Sequence, residues 1–314
     1  MSGMKTGLLF TGQGAQYTGM GRDLYENSAA AGRVFDLTGE EIKNRCFYGT
    51  KEVLRQTRVT QPCIYTVAMA AYEALLEAAG GALKPSGVAG FSLGEYCALT
   101  AAGVICDIKK GLEIVTRRGE LMSDAGVGEG GAVIGGMTAA FGKRPDILKC
   151  VEAARGDGVL EGANFNTPTQ TVVAGDMGAL SRFRQKAAEN RVKVVPLNVS
   201  AAFHTTMMER AAEPLRRLLL DTGLQKPRLK VYCNVTGSEL GGDVAEIMAR
   251  QVKSPVLWQE TIENMAADGI DTFIELGPGD VLSGMVKKIA PGTATLNVED
   301  MESLKKTVQA LISL

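Results

Sequence analysis

The sequence has few residues that could coordinate a metal or carry a proton near neutral pH. It contains one histidine, His204, and six cysteines with no C-x-x-C pair. Histidine-based zinc sites draw on several imidazoles or thiolates at short spacing, so the composition argues against such a site. The cysteines lie mostly in apolar runs, which is typical of buried reduced thiols. Any mechanism that needs an imidazole has His204 as its candidate.

Excess charge and long apolar runs are also lacking. The chain has 34 basic and 35 acidic residues, for a formal net charge of -1, so there is no basic field for nucleic acid. The apolar stretch near the N-terminus, residues 8–10, is too short for a signal-peptide core or a bilayer span. We therefore predict a cytoplasmic protein with neither nucleic-acid nor membrane partners.

The sequence does contain an alternation of strand and helix patterns. The predicted elements are strands over 6–11, 86–90 and 272–276 and helices over 60–79, 93–102 and 281–289. Strands that alternate with helices predict an α/β fold with a mostly parallel sheet.

The pattern changes between residues 127 and 198. Strand-like, helix-like and turn segments there follow the order β-α-β-β-α-β, with the first strand over 131–137. That order is typical of a ferredoxin-like unit. We predict a large domain in two parts, residues 1–126 and 199–314, with a small subdomain inserted at 127–198.

A candidate nucleophile lies in Gly90-Phe91-Ser92-Leu93-Gly94. The segment fits the G-x-S-x-G elbow, which places a serine on a tight turn between a strand and a helix. Small residues two positions away on each side avoid clashes with the turn. The backbone N–H groups at the start of the following helix can stabilise an oxyanion. A chance match is the alternative in a chain with 38 glycines.

Serine needs a base within hydrogen-bond reach, and His204 is the available imidazole. A lone histidine after an apolar run is more often structural, but a serine nucleophile without a base would be inert. An ordinary α/β-hydrolase has its histidine late in the chain, whereas 110 residues follow His204. A Ser-Asp dyad stays open as an alternative, although Asp268-Gly269-Ile270 is a poor match to the turn that such dyads use.

Seven blocks of the sequence lie between residue 8 and about 289. They comprise Phe10-Thr-Gly-Gln-Gly-Ala-Gln16 with Gly19-Met-Gly21, Gly90-x-Ser-Leu-Gly-Glu95, Arg118-Gly119, Ala163-Asn-x-Asn166, Phe203-His204, Gln251-x-x-Ser-Pro-Val-x-Trp258 and Glu275-Leu-Gly-Pro-Gly279 with Leu282 and Gly284. In content and order, these blocks resemble the malonyl-CoA:acyl-carrier-protein transacylases. The resemblance implies an α/β-hydrolase-like large domain with an inserted ferredoxin-like subdomain.

The resemblance also implies the catalytic roles. Ser92 is the acylated nucleophile and His204 its general base and acid. The backbone carbonyl of Gln251 orients the imidazole, which explains why no triad acid stands out. The backbone N–H groups of Gln13 and Leu93 form the oxyanion hole, and the glycines around Gln13 suit close approach to a carbonyl.

Other residues bear on the substrate. Arg118 can grip the free carboxylate of a malonyl group with two hydrogen bonds, although a helical arginine is usually a solvated surface charge. In related acyltransferases a phenylalanine before the histidine goes with malonyl, so the resemblance implies that Phe203 favours malonyl over methylmalonyl, since a bulky ring there would fill the space of an α-methyl group. Asn164 and Asn166 are candidates to bind the thioester or pantetheine arm, or else to shape a turn. Phe91 departs from the family, which usually has histidine there.

The implied activity is transfer of a malonyl group from malonyl-CoA to an acyl carrier protein in fatty-acid synthesis, by a monomer without metal or cofactor. Three alternatives stay open: a free-standing acyltransferase of a polyketide pathway, a serine thioesterase or hydrolase, and a non-catalytic scaffold.

Overall fold

The fold was obtained as a computed structural model that describes residues 4–313. The strands are β1 Thr6–Phe10, β2 Pro85–Gly90, β3 Gly135–Phe141, β4 Leu160–Thr167, β5 Gln170–Asp176, β6 Lys193–Pro196, β7 Val231–Tyr232, β8 Thr272–Leu276 and β9 Ala294–Val298. The helices are α1 Arg22–Asn27, α2 Ala29–Thr38, α3 Glu40–Tyr48, α4 Lys51–Leu54, α5 Thr57–Ala79, α6 Gly94–Ala101, α7 Ile108–Ala125, α8 Arg144–Arg155, α9 Met177–Glu189, α10 Glu209–Asp221, α11 Val244–Gln251, α12 Trp258–Ala267, α13 Val281–Ile289 and α14 Met301–Ile312.

The large domain is built on a parallel sheet with strand order β7-β2-β1-β8-β9. Its central strand β1 is buried along its whole length. Leu8 and Phe10 pack into a large apolar cluster on one face, whereas Leu9 packs with Trp258 on the other. Because both faces of the sheet are covered at its centre, the inner part of β1 is apolar, as is typical of parallel sheets. The carboxyl ends of β1 and β2 carry the loops of the functional site.

The small subdomain is an antiparallel sheet with strand order β4-β5-β3-β6. Helices α8 and α9 pack on it around an apolar cluster of their own, which includes Ile147 and Phe183. This is the ferredoxin-like arrangement predicted from the sequence, and its strands lie inside the predicted segment 127–198. The predicted first strand was misplaced, because residues 129–131 form a short 3-10 turn and β3 begins at Gly135. Glycine-rich stretches carry little side-chain patterning, which explains the error.

Side-chain caps define the starts of the helices that frame the site. Asp107 accepts a hydrogen bond from the backbone N–H of Lys110 at the start of α7. Asp243 caps α11 in the same way, through the N–H of Ala245. Such caps satisfy donors that lack a partner in the first helical turn. They fix where the two helices begin, and hence where their inward-facing residues lie.

Helix α5 runs through the interior beside the large sheet and is buried along most of its length. It begins three residues before the predicted start, at Thr57, with Gln56 as its N-cap. Among the helices within residues 4–313, none combines the length and the apolarity needed to cross a bilayer.

Candidate active site

Ser92 lies on a strained turn between β2 and α6. Its φ is +52°, in the left-handed region that non-glycine residues seldom adopt. Strain of this kind persists where the surrounding structure enforces it, and it is common at functional sites. The backbone N–H of Ser92 donates to the side-chain oxygen of Asn234 at 2.7 Å, and Asn234 Nδ2 donates to the carbonyl of Gly90. The side chain of Asn234 therefore stabilises the turn through two hydrogen bonds to its backbone.

The glycines of the elbow are required by close backbone contacts. A Cβ atom on Gly90 would lie 1.9 Å from the carbonyl carbon of Gly94, and one on Gly94 would lie 2.1 Å from the carbonyl oxygen of Phe10. A Cβ on Gly12 would lie 2.3 Å from the carbonyl oxygen of Phe91. The loop after β1 consequently approaches the elbow backbone to backbone.

His204 reaches the nucleophile from the other side of the site. Its Nε2 lies 2.7 Å from Ser92 Oγ, and its Nδ1 lies 2.9 Å from the backbone carbonyl oxygen of Gln251. A carbonyl can only accept, so Nδ1 carries the proton and Nε2 is left bare to accept from the serine hydroxyl. Burial lowers the pKa of His204 to about 4, and the charge of Arg118 contributes in the same direction. The imidazole is thus neutral and ready to act as a base at neutral pH.

Arg118 points inward from α7 and is 1% exposed. Its guanidinium donates to Gln61 Oε1 at 2.8 Å, to Gln251 Oε1 at 2.9 Å and to Ser92 Oγ at 3.2 Å. It also lies over the ring of Tyr96, 5.1 Å from the centroid. The cation is therefore within reach of a carboxylate attached to an acyl group on Ser92. Its neighbour Arg117 is exposed and pairs with a surface glutamate.

Gln13 and Leu93 provide two backbone N–H groups beside the nucleophile. Gln13 is the residue after Gly12, whose backbone contacts the elbow at Phe91, and Leu93 immediately precedes α6. Within the described part of the chain, neither N–H donates to a backbone or side-chain acceptor. Both residues line the cavity at Ser92. Two free backbone donors beside a serine hydroxyl are what an oxyanion hole requires.

A cavity of about 220 Å³ opens at the nucleophile. Predicted site residues that line it are Gln13, Ser92, Leu93, Arg118, Asn164, Asn166, Phe203 and His204. Gln251 lies behind His204 and does not line it. The rest of the wall is mainly apolar and includes Met137, Val172, Leu197 and Met285.

The two asparagines reach the cavity from the small subdomain. Asn164 and Asn166 lie on strand β4, since the strand continues to Thr167, so neither lies in the hairpin turn itself. Asn166 Nδ2 donates to Gln170 Oε1 across the hairpin, while its buried Oδ1 has no partner among the residues described. An unpaired polar atom in a cavity wall is available to a ligand. The sheet of the small subdomain thus forms one side of the site.

Phe91, the departure from the family pattern, lines the same cavity. Its ring packs edge-on against Trp258, with 5.3 Å between centroids. Its phenyl ring has no group that could hydrogen-bond to Ser92 or His204. The substitution therefore changes the wall of the cavity and leaves the contact between Ser92 and His204 intact.

Sequence reasoning missed three polar residues that hold the site together. Asn234 braces the elbow, Gln61 contacts Arg118, and the side chain of Glu95 binds Gln251 Nε2 at 2.8 Å. Glu95 was visible in the elbow motif, but its neighbours are 139 or more positions away. Asn234 had no local signal. Within residues 4–313, no cluster of three histidine, cysteine, aspartate or glutamate side chains is arranged as a metal site.

The sequence matches the acyl transferase domain family over residues 8–306. It is 36% identical to the malonyl CoA-acyl carrier protein transacylase of Bacillus subtilis, over 98% of this chain and 97% of that protein. The crystal structure of the transacylase from Clostridium perfringens superposes with a TM-score of 0.92, at 39% identity and 98% coverage of both chains. A malonyl-transacylase solved with a type II polyketide acyl-carrier protein matches with a TM-score of 0.91, at 32% identity over 99% of this chain and all of that one.

These likenesses extend over nearly the whole chain, so they cover both the parallel and the antiparallel sheet. The chain belongs to the acyl transferase family, among the malonyl CoA-acyl carrier protein transacylases.

Proposed function

We propose that the protein transfers a malonyl group from malonyl-CoA to the phosphopantetheine thiol of an acyl carrier protein, through a malonyl ester on Ser92. One observation carries the proposal. Ser92 Oγ is in hydrogen-bond contact with both His204 Nε2 and Arg118 Nη2. Nucleophile, base and carboxylate-binding cation therefore meet at a single atom.

The first half of the cycle forms the acyl-enzyme. His204 Nε2 accepts the serine proton as Ser92 Oγ attacks the thioester carbonyl. The backbone N–H groups of Gln13 and Leu93 stabilise the tetrahedral oxyanion. The carbon–sulfur bond then breaks, and His204 gives the proton to the departing coenzyme A sulfur, which leaves the imidazole neutral for the second half.

The second half reverses the chemistry with a new thiol. The carrier's phosphopantetheine thiol gives its proton to His204 while its sulfur attacks the malonyl ester. The bond from the acyl carbon to Ser92 Oγ breaks, and the serine recovers its proton. Side chains supply the nucleophile, base and cation, so the proposed cycle uses no metal or redox cofactor.

Arg118 is proposed to select the substrate, because a buried guanidinium can bind a carboxylate with paired charged hydrogen bonds. Phe203 lines the cavity beside His204 and limits the space for an α-methyl group. Asn164 and Asn166 are proposed to bind the thioester or the pantetheine arm. Their position on the cavity wall and the unpaired Oδ1 of Asn166 support this role.

We place the activity in fatty-acid synthesis, in a monomeric protein of the cytoplasm, whose six free thiols suit a reducing compartment. A role in polyketide synthesis is the second candidate, supported by the similarity to a transacylase solved with a polyketide carrier protein. Comparing transfer to fatty-acid and polyketide carrier proteins separates the two roles, and sedimentation tests the monomer.

Intact-protein mass spectrometry after brief mixing with malonyl-CoA tests the central step. The wild type is expected to gain a malonyl adduct that disappears on adding holo carrier protein, and Ser92→Ala is expected to gain none. Release of free malonate without a carrier would assign the protein to the hydrolases. If the wild type gains no adduct and releases no malonate, the protein would instead be a non-catalytic scaffold.

A further inference from the structure

Arg118 is a buried cation that forms no ion pair with any residue in the described range 4–313. Among the residues described, its guanidinium donates only to neutral partners, the side chains of Gln61, Ser92 and Gln251. Burial lowers its pKa, so the protein must stabilise its charge by some other route. The nearest such route begins at Gln251 Oε1, which accepts from Arg118 Nη2 at 2.9 Å.

The orientation of the Gln251 amide follows from the chemistry of its neighbours. Its Nε2 lies 2.8 Å from the backbone oxygen of Ser92 and 2.8 Å from Glu95 Oε2. A carbonyl and a carboxylate accept hydrogen bonds, whereas a guanidinium only donates. The amide must therefore point its nitrogen at Glu95 and its oxygen at Arg118. In a flipped amide, the Gln251 nitrogen would face the Arg118 guanidinium, and both groups are donors. Its oxygen would face Glu95 and the Ser92 carbonyl, which are both acceptors.

Glu95 is fully buried, on the first turn of α6. Its Oε1 accepts from the backbone N–H of Asn234 at 3.2 Å, and its Oε2 accepts from Gln251. Burial raises its pKa to about 7, and both hydrogen bonds oppose that shift because they favour the carboxylate. The N–H of Asn234 and the amide of Gln251 both donate, so each side-chain oxygen of residue 95 must accept a hydrogen bond. A carboxylate has two accepting oxygens, whereas a carboxamide has only one.

We propose that Glu95 is a positioning residue that orients the Gln251 amide and, through it, holds the Arg118 guanidinium ready for a substrate carboxylate. Through that amide, the Arg118 guanidinium is also connected to a buried carboxyl group. The inference rests on the proposed function, since it concerns how the malonyl group is distinguished from acyl groups without a carboxylate.

Glu95→Gln tests the proposal, because it keeps the shape and replaces one acceptor by a donor. Rates of acyl-enzyme formation are measured with malonyl-CoA and with acetyl-CoA, which share Ser92 and His204 and differ in the carboxylate. We expect the preference for malonyl to fall about tenfold or more, the loss typical of one hydrogen bond to a charged group. The loss should reside mainly in KM for malonyl-CoA. In an Arg118→Ala background the same substitution should leave the preference unchanged.

Equal slowing of both acyl donors, or the same loss of preference without Arg118, would overturn the proposal and leave Glu95 a folding residue. If Glu95→Gln does not fold, Gln251→Met cuts the same relay and keeps the backbone carbonyl that binds His204. Retained malonyl preference in that variant would equally overturn the proposal. If the wild type never forms a malonyl ester, the proposed function itself is overturned. Ester formation by the wild type is therefore measured before that of any variant.

Thr307→Val is the control. Thr307 is a buried polar residue of α14 whose Oγ1 donates to the backbone carbonyl oxygen of Asn297 at 2.9 Å. It does not line the cavity at Ser92. Its replacement removes a buried hydrogen bond, so it is expected to lower stability without changing the ratio of malonyl to acetyl rates.

Discussion

Arg118 donates a hydrogen bond from Nη2 to Ser92 Oγ over 3.2 Å, so the cation proposed to select the substrate touches the nucleophile itself. The guanidinium is anchored by Gln61 and Gln251 on its other sides. An acyl group attached to Ser92 would carry its distal carboxylate into this buried donor set. Specificity and reactivity are consequently coupled at one contact.

Arg118→Ala is expected to slow malonyl-enzyme formation about 100-fold, the upper range for losing charged hydrogen bonds. Acetyl-enzyme formation should change far less, because acetyl has no carboxylate to bind. Single-turnover mass spectrometry with each acyl donor measures both rates. Arg117→Ala is the control, since that arginine is exposed and paired with Glu120 at the surface. Equal losses with malonyl and acetyl donors would refute the selective role.

The sole histidine makes its protonation directly observable. We expect the imidazole signals in NMR spectra to titrate near pH 4, because burial and the charge of Arg118 both lower the pKa of His204. The rate of malonyl-enzyme formation should fall as the pH approaches that value, since only the neutral imidazole can accept the serine proton. Arg118→Ala should move the titration upward. A midpoint at or above the ordinary value of about 6.5 would contradict this account.

The same shift predicts how stability depends on pH. An unfolded histidine has a pKa of about 6.5, so between that value and about 4 the unfolded chain binds the proton and the folded chain does not. His204 should therefore lower the free energy of unfolding progressively as the pH falls through this window, and no further below it. Urea unfolding of the wild type and His204→Gln across that range isolates the contribution. Parallel curves for the two proteins would rule it out.

Phe203 controls the space beside the base. Phe203→Ser should raise the relative rate with methylmalonyl-CoA by about tenfold, the scale on which a pocket distinguishes a methyl group. Phe203→Leu retains most of the apolar volume and serves as the comparison. Competition between the two acyl donors, read as the ratio of adducts on Ser92, is the measurement. An unchanged ratio in Phe203→Ser would remove Phe203 from the selectivity of the site.

The elbow tolerates no side chain at Gly90. Gly90→Ala should lower the free energy of unfolding by at least about 3 kcal/mol, because the new Cβ would meet backbone atoms that cannot move aside. The control is Gly284→Ala in α13, where no heavy atom lies within 4 Å of the new Cβ. There a gain of about 0.5–1 kcal/mol is expected from helix propensity. Urea unfolding of both variants would show the opposite signs, and matching signs would disprove the steric argument.

Local patterns in the sequence predicted several of the elements, including the turn that carries Ser92, the proposed nucleophile. The strand–turn–helix around Ser92, the ferredoxin-like order of the insert and the helix at 281–289 were all predicted and are present. Each is encoded by neighbours within a few residues, through side-chain periodicity and glycine spacing. Where that encoding was weak, in the glycines of residues 128–136, the strand start was misplaced.

The resemblance to the transacylases supplied the partners of Ser92 across long separations. His204 is 112 positions away and was the lone imidazole, so composition also pointed to it. The contact of Gln251 with His204 spans 47 positions and lies within hydrogen-bond distance through the backbone carbonyl. No local pattern could have predicted a contact made by a main-chain atom.

The brace behind the site was decided by tertiary structure alone. Asn234 holds the turn of Ser92 from 142 positions away, and the Gln251 side chain joins Arg118 to Glu95. A buried polar group must find a partner, and which partner it finds depends on how the helices and the sheet pack. The amino-acid sequence by itself determined the family and pointed to Ser92 and His204 as the proposed nucleophile and base. Packing determined that the buried carboxyl group of Glu95 is joined to Arg118 through the Gln251 amide, because those three residues lie far apart in the sequence.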